Sequence, residues 1–189
     1  MIRWFPGSSR AARSLPPSST VYRPGLESDI SDATSRTRTE RLLLDAKSAA
    51  MLFGHKDGTI AFTTIDGTKV FGSNSTSPAY TSADKSAALR LRDILVEKYP
   101  GEFPAEHVGR MPNDALFHAE TTVLLRAARE KGGTLADRAL TVHVDDHLCN
   151  NCEAVLPYVG LELGNPTVTF VDPNGSTKTM RDGAWLSSK

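Results

Sequence analysis

At 189 residues, with 39% hydrophobic and 23% charged side chains, the chain has room for one globular domain of ordinary size plus a tail. Its 22 basic residues balance 22 acidic ones, which excludes the broad cationic surface of a strongly basic nucleic-acid-binding domain and leaves any polynucleotide to be gripped locally. No run approaches the ~20 apolar residues of a membrane span, so no membrane partner is expected, and the only two cysteines lie three residues apart, which points to metal or redox use before a disulfide framework.

Residues 1–35 are rich in Ser, Pro and Arg and show no sustained period, which predicts a disordered lead-in or linker ahead of a domain over 36–189. Arg3, Arg10 and Arg13 precede any acid, but the apolar core of a secretory signal is missing and a linker is the better reading. From Thr39 to Met51, Leu42, Leu43, Ala46, Ala49 and Ala50 recur at helical spacing and predict a first helix. Two runs rich in β-branched and aromatic residues, Thr59 to Thr64 and Thr68 to Ser73, flank Asp66-Gly67 and predict a β-hairpin. A polar loop follows over 72–78. Ser82 or Asp84 then caps a helix carrying Ala87, Ala88, Leu91, Ile94 and Leu95, stopped by Pro100-Gly101.

Beyond an irregular, proline-containing connector, a helix is expected from Ala115 to Glu130, with His118 in its first turn and Gly132-Gly133 at its end. Ala139 to Val144 alternates as a strand, a short helix is expected from Asn150 to Tyr158, and Thr167 to Val171 and Ser176 to Met180 are strands joined through Pro173-Asn174-Gly175. A parallel crossover needs about a dozen residues or more, so this last pair is expected to be antiparallel.

The chemistry concentrates in Phe117-His118-Ala119-Glu120 and Leu148-Cys149-Asn150-Asn151-Cys152. A hydrolytic zinc site needs three protein ligands, an open fourth position and a nearby carboxylate. His118, Cys149 and Cys152 supply the ligands, and Glu120, two residues on from the histidine, supplies the carboxylate. Cysteines at i and i+3 near a helix start share one face, where the positive helix end favours thiolate. Two plainer readings compete: a thioredoxin-like redox pair, which leaves His118 and Glu120 unused, and a closed structural zinc site with His147 as fourth ligand. Asn74, Phe117 and His147 are candidate substrate contacts: Asn74 to a sugar hydroxyl or phosphate, Phe117 by stacking on a base, and His147 by stacking on or hydrogen-bonding a base. Loop decoration or core packing is the commoner role of such residues. His107 flanks the expected mouth of the site, and His143 reads as structural.

The pattern H-x-E followed by C-x-x-C is the signature of zinc-dependent nucleobase deaminases. From about Thr39 onward the chain resembles the cytidine-deaminase-like superfamily, and within it the deaminase domains at the C-termini of bacterial polymorphic toxins. The resemblance implies a three-layer α/β fold, a mixed sheet of about five strands with helices on both faces. It implies that His118, Cys149 and Cys152 hold a Zn2+ cofactor and that Glu120 shuttles protons. Many members carry proline directly before the first cysteine, where this chain has Leu148; that proline shapes the loop and does no chemistry. The activity implied is conversion of cytosine to uracil in a nucleic acid, DNA ahead of RNA, by a monomeric antibacterial toxin domain. Such a domain would be a secreted or delivered bacterial effector acting in the cytoplasm of a target cell, with a cognate immunity protein as partner. A deaminase of free nucleosides or nucleotides and a non-catalytic zinc-stabilised binding module stay open beside it.

Overall fold

The structure, a computed structural model, describes residues 58–110 and 114–187. The lead-in over 1–35 and the helix expected from Thr39 to Met51 lie outside these residues. β1 (Ile60–Ile65) and β2 (Thr68–Ser73) form the expected hairpin. Its turn residues Asp66 and Gly67 both have positive φ, 47° and 81°, the left-handed pair that a two-residue hairpin turn requires and that Asp-Gly readily adopts.

β3 (Ala139–Val144), β4 (Thr167–Val171), β5 (Thr177–Arg181) and β6 (Ala184–Leu186) complete a six-stranded mixed sheet in the order β2-β1-β3-β4-β5-β6. Among the described strands only β3 and β4 run parallel, joined by a helix, α3 (Asn150–Glu162), as a parallel pair demands. β4 and β5 are antiparallel as expected. Among the described residues the sheet holds six strands, in keeping with the expected sheet of about five; the strand the sequence did not announce is β6, into which Asp182 and Gly183, both at positive φ, turn the chain back once more.

The pairing register puts Ala61, Val142, Val144, Val168, Phe170 and Met180 on one face, where all are buried. Against that face lie α2 (Ala119–Glu130), over β1 and β2, and α3, over β5 and β6. α1 (Ser82–Lys98) packs on both helices through Ala88, Leu91 and Leu95. Its cap is Thr81, one residue before the expected Ser82. Thr81 Oγ1 accepts from Asp84 N at 3.2 Å and Asp84 Oδ2 accepts from Thr81 N at 2.8 Å, a reciprocal capping box. On the opposite face His143 stacks on Phe62 with ring centroids 5.0 Å apart, and burial holds its imidazole below the ordinary histidine range, in keeping with a structural role. No described helix is long and apolar enough to cross a membrane.

α2 is the central helix. Every residue from Ala119 to Leu124 is buried, so its Thr121 and Thr122 hydroxyls must be paired internally, and they donate to the carbonyls of Ala115 and His118 at 2.8 and 2.9 Å. Its approach to β2 leaves no room for a side chain at Gly72, where a Cβ would stand 2.2 Å from Ala119 O and 2.4 Å from Val123 N. Both obstacles are backbone, which cannot rotate away. Gly72→Ala is therefore expected to destabilise the domain by about 3 kcal/mol or more, the upper part of the overpacking range. A urea denaturation midpoint equal to that of the parent would show that α2 does not lie so close.

Candidate active site

The expected continuous helix from Ala115 is interrupted. Ala115–Phe117 is a single 3-10 turn, and His118 then adopts extended backbone, φ −84° and ψ 164°, as the N-cap of α2. The break is held from outside the segment. Asp114 caps the 3-10 turn by accepting from Leu116 N at 2.9 Å, and the same carboxylate accepts from Gly109 N at 2.7 Å. Asn74 Oδ1 accepts from Ala119 N at 2.9 Å. A cap residue ordinarily uses its own side chain for such an orphan amide; here Asn74 does so, the His118 ring makes no capping bond, and it turns towards the cysteines.

Cys149 is likewise the N-cap of its helix, with its Sγ accepting from Cys152 N at 3.3 Å. α3 runs on to Glu162, past the expected end at Tyr158 and through Pro157. His118 Nδ1 lies 3.3 Å from Cys152 Sγ and 3.6 Å from Cys149 Sγ, and the three ligand atoms all fall within 4.8 Å of one another. Tetrahedral zinc, with bonds of ~2.3 Å to sulfur and ~2.0 Å to nitrogen, separates an N and an S ligand by about 3.5 Å. The donor set and its spacing therefore fit a zinc ion. Among the described residues this is the one group of His, Cys, Asp and Glu side chains gathered closely enough to hold a metal.

Glu120, at the second position of α2, is 3% exposed, and its Oε2 has no hydrogen-bond partner. Burial pushes this carboxyl above the ordinary glutamate range, against hydrogen bonds from its own amide and the Cys152 thiol. Burial also pushes the Cys152 thiol far up, and the neighbouring Glu120 charge adds to it. A carboxyl with one unpaired oxygen and a disfavoured thiolate in one buried corner form an environment that a dication would invert.

The other candidates are placed differently. His147 does not join the cluster: its Nδ1 pairs with Asp172 Oδ2 at 2.7 Å and its Nε2 faces Asn174 Nδ2 at 3.5 Å, so it ties the cysteine loop to the β4–β5 turn. A closed site with His147 as fourth ligand is not the arrangement here. Phe117 is fully buried, which makes it a core residue with no face to offer a base. Asn74 keeps its place beside the site, but its oxygen is committed to α2.

Sequence reasoning missed Asp114, although an aspartate directly before an apolar run is a cap signal. It also missed a cleft of about 580 Å3 between the connector and α3, whose lining includes Phe103, His107, Arg110, Asn151 and Tyr158. Asn151 directly precedes Cys152, which sets one wall of this cleft beside the His118, Cys149 and Cys152 cluster.

No curated protein matches the chain. A model of one family, described as MafB19-like deaminase, matches residues 39–175, a stretch that contains the hairpin, α2 with Glu120, β3 and the cysteine turn. On that match the chain belongs to the MafB19-like deaminase family, and its activity is that of a deaminase.

Proposed function

We propose that the chain is a zinc-dependent deaminase that converts cytosine to uracil within a nucleic acid, DNA ahead of RNA, as an antibacterial toxin domain. The observation that carries the reading is the triangle of His118, Cys149 and Cys152 beside a buried glutamate oxygen without a partner. Zinc bound there would supply a hydroxide-like nucleophile at neutral pH. Glu120 accepts the proton of the attacking water and delivers it to N3 of the base as the water oxygen adds at C4. The second water proton reaches the exocyclic amine, which leaves as ammonia, and the ring becomes uracil. The raised carboxyl of Glu120 suits an acid and base that must both take and return a proton.

A polynucleotide is favoured by the open cleft beside the cysteine turn. A free nucleoside would need no further cleft beside the cluster, whereas a strand has neighbouring nucleotides to seat. His107 and Arg110 offer cationic or donor groups for phosphate, and Tyr158 offers a ring. With its oxygen committed to Ala119 N, Asn74 keeps its amide nitrogen as the group to donate to a sugar or phosphate oxygen in this reading. The toxin role, delivery into a target cell and a cognate immunity partner follow from the likeness to polymorphic-toxin deaminases.

Incubating purified protein with cytosine-containing single-stranded DNA, duplex DNA, RNA and free cytidine, with metal content measured in parallel, tests the reading. The expected result is one zinc per chain and uracil in a DNA strand. Conversion of free cytidine alone would overturn the polynucleotide assignment, and a protein that binds no zinc would overturn the mechanism.

A further inference from the structure

Pro157 lies inside α3 and has no N–H to donate to the carbonyl four residues earlier. That carbonyl belongs to Glu153, the residue after Cys152. It is satisfied from another element: the indole Nε1–H of Trp185 donates to Glu153 O at 2.8 Å. Trp185 sits on β6 opposite Met180, with its ring edge-on to Phe170 and the centroids 5.9 Å apart.

The β5–β6 hairpin that carries this indole is registered on α3 at further points. Asn165, just past the helix, and Asp182, in the hairpin turn, exchange hydrogen bonds of 2.6 and 2.8 Å. Lys178 pairs with the Glu153 carboxylate. Gly183 lies so close that a Cβ would come within 2.8 Å of Leu161 Cδ1. Both strands lie beyond residue 175, where the family match ends.

We propose that Trp185 is a positioning residue of the active site: its indole replaces the backbone donor that Pro157 lacks, and so fixes the first turn of α3 on which Cys149 and Cys152 face His118. The link to zinc rests on the function proposed above. The link to the cysteine turn stands on the hydrogen bond alone. Without the indole, a partly buried carbonyl in that turn loses its donor, and the turn satisfies it by opening towards water.

Trp185→Phe keeps an aromatic ring on Phe170 and removes only the N–H. Pro157→Ala returns a backbone donor to Glu153 O and makes the indole redundant. Parent, both single variants and the double variant are compared by two readouts: the rate of iodoacetamide labelling of Cys152 in metal-free protein, resolved from Cys149 by peptide mass spectrometry, and zinc affinity by chelator competition. Trp185→Phe is expected to raise Cys152 labelling about fivefold, the factor that one net hydrogen bond is worth, and to weaken zinc binding about tenfold, as loss of outer-shell support does. In the Pro157→Ala background the same change is expected to alter neither. Labelling and affinity equal to the parent in Trp185→Phe, or equal losses in both backgrounds, would overturn the proposal. A parent that holds no zinc, with the labelling pattern as expected, would remove the zinc reading and leave Trp185 as the anchor of the cysteine turn.

Discussion

Glu120→Gln is expected to lower the rate of deamination by about 10²–10⁴-fold or more, the range carried by a positioned proton relay, while zinc content and thermal stability stay near those of the parent. Glutamine has the shape of glutamate and fills the same buried space, and as a neutral amide it carries no ionisation cost there. What it lacks is a proton it can take and return, so only the chemical step suffers. Cys152→Ala gives the contrasting pattern. It removes a donor from a site whose binding energy is also folding energy, so zinc content and stability fall together. The comparison is read from uracil release, metal analysis and thermal melts on the same preparations. A Glu120→Gln protein that keeps its zinc and deaminates at the parent rate would show that Glu120 does not carry the proton, and the proposed chemistry would lose its central residue.

The gathering of His118, Cys149 and Cys152 into a group that could hold a metal was legible because its signal is local and its residue types are scarce. Cys149 and Cys152 are the only cysteines, and a spacing of three at a helix start leaves little freedom in where their sulfurs point. The hairpin turn at Asp66-Gly67 and the strands Ala139–Val144 and Thr167–Val171 were legible for a similar reason, since a two-residue turn and strict alternation act within a few residues. The backbone at His118 was not. Read alone, the run from Ala115 to Glu130 is one helix; Asn74, 44 residues upstream, supplies the capping oxygen that lets His118 stay extended. His147 sits five residues before Cys152, yet Asp172 from the next turn takes its ring. No periodicity encodes such partners, because they are set by which loops the sheet order brings together.

β6 shows a different kind of miss. Asp182-Gly183 is the same dipeptide that marked the first hairpin, and it adopts the same left-handed pair of φ values, 53° and 71°. The strand it opens is three residues long, too short to alternate visibly. The helix expected to end at Tyr158 is a miss of boundary: it carries Pro157 in its interior, where a proline removes one bond of the hydrogen-bond ladder. α3 nevertheless continues to Glu162, and the Glu153 carbonyl that Pro157 leaves without a backbone donor accepts from Trp185 Nε1, a partner no local pattern announces.

Removing either partner of the Asp84–Arg126 pair is expected to cost about 3–5 kcal/mol, the penalty for leaving a buried charge without its counterpart. The Asp84 side chain is 2% exposed and that of Arg126 17%. The guanidinium meets the carboxylate in bidentate fashion, Nε to Oδ1 at 3.0 Å and Nη2 to Oδ2 at 2.6 Å. It also donates to Phe71 O at 3.0 Å and Ala79 O at 2.7 Å, so one side chain joins α2 to α1, to β2 and to the loop that carries Asn74. Arg126→Met therefore takes the bidentate partner from the carboxylate, leaving it Thr81 and the more distant Arg129 at 3.5 Å, and removes a donor from two carbonyls at once, while Asp84→Asn leaves the guanidinium without a carboxylate. Desolvation alone would push the Asp84 carboxyl up, but the hydrogen bonds from Arg126 and Thr81 outweigh it and hold the group well below the usual carboxylate range. A carboxyl whose folded pKa is depressed contributes stability that is full above its unfolded value of about 3.9 and is lost as pH falls from there towards the folded value. The stability gap between the parent and Asp84→Asn, measured by urea unfolding, is thus expected to be constant from pH 7 to 5 and to narrow below about pH 4. A gap under about 1 kcal/mol at pH 7, of the size of an exposed ion pair, would show that the pair does not bind these elements together.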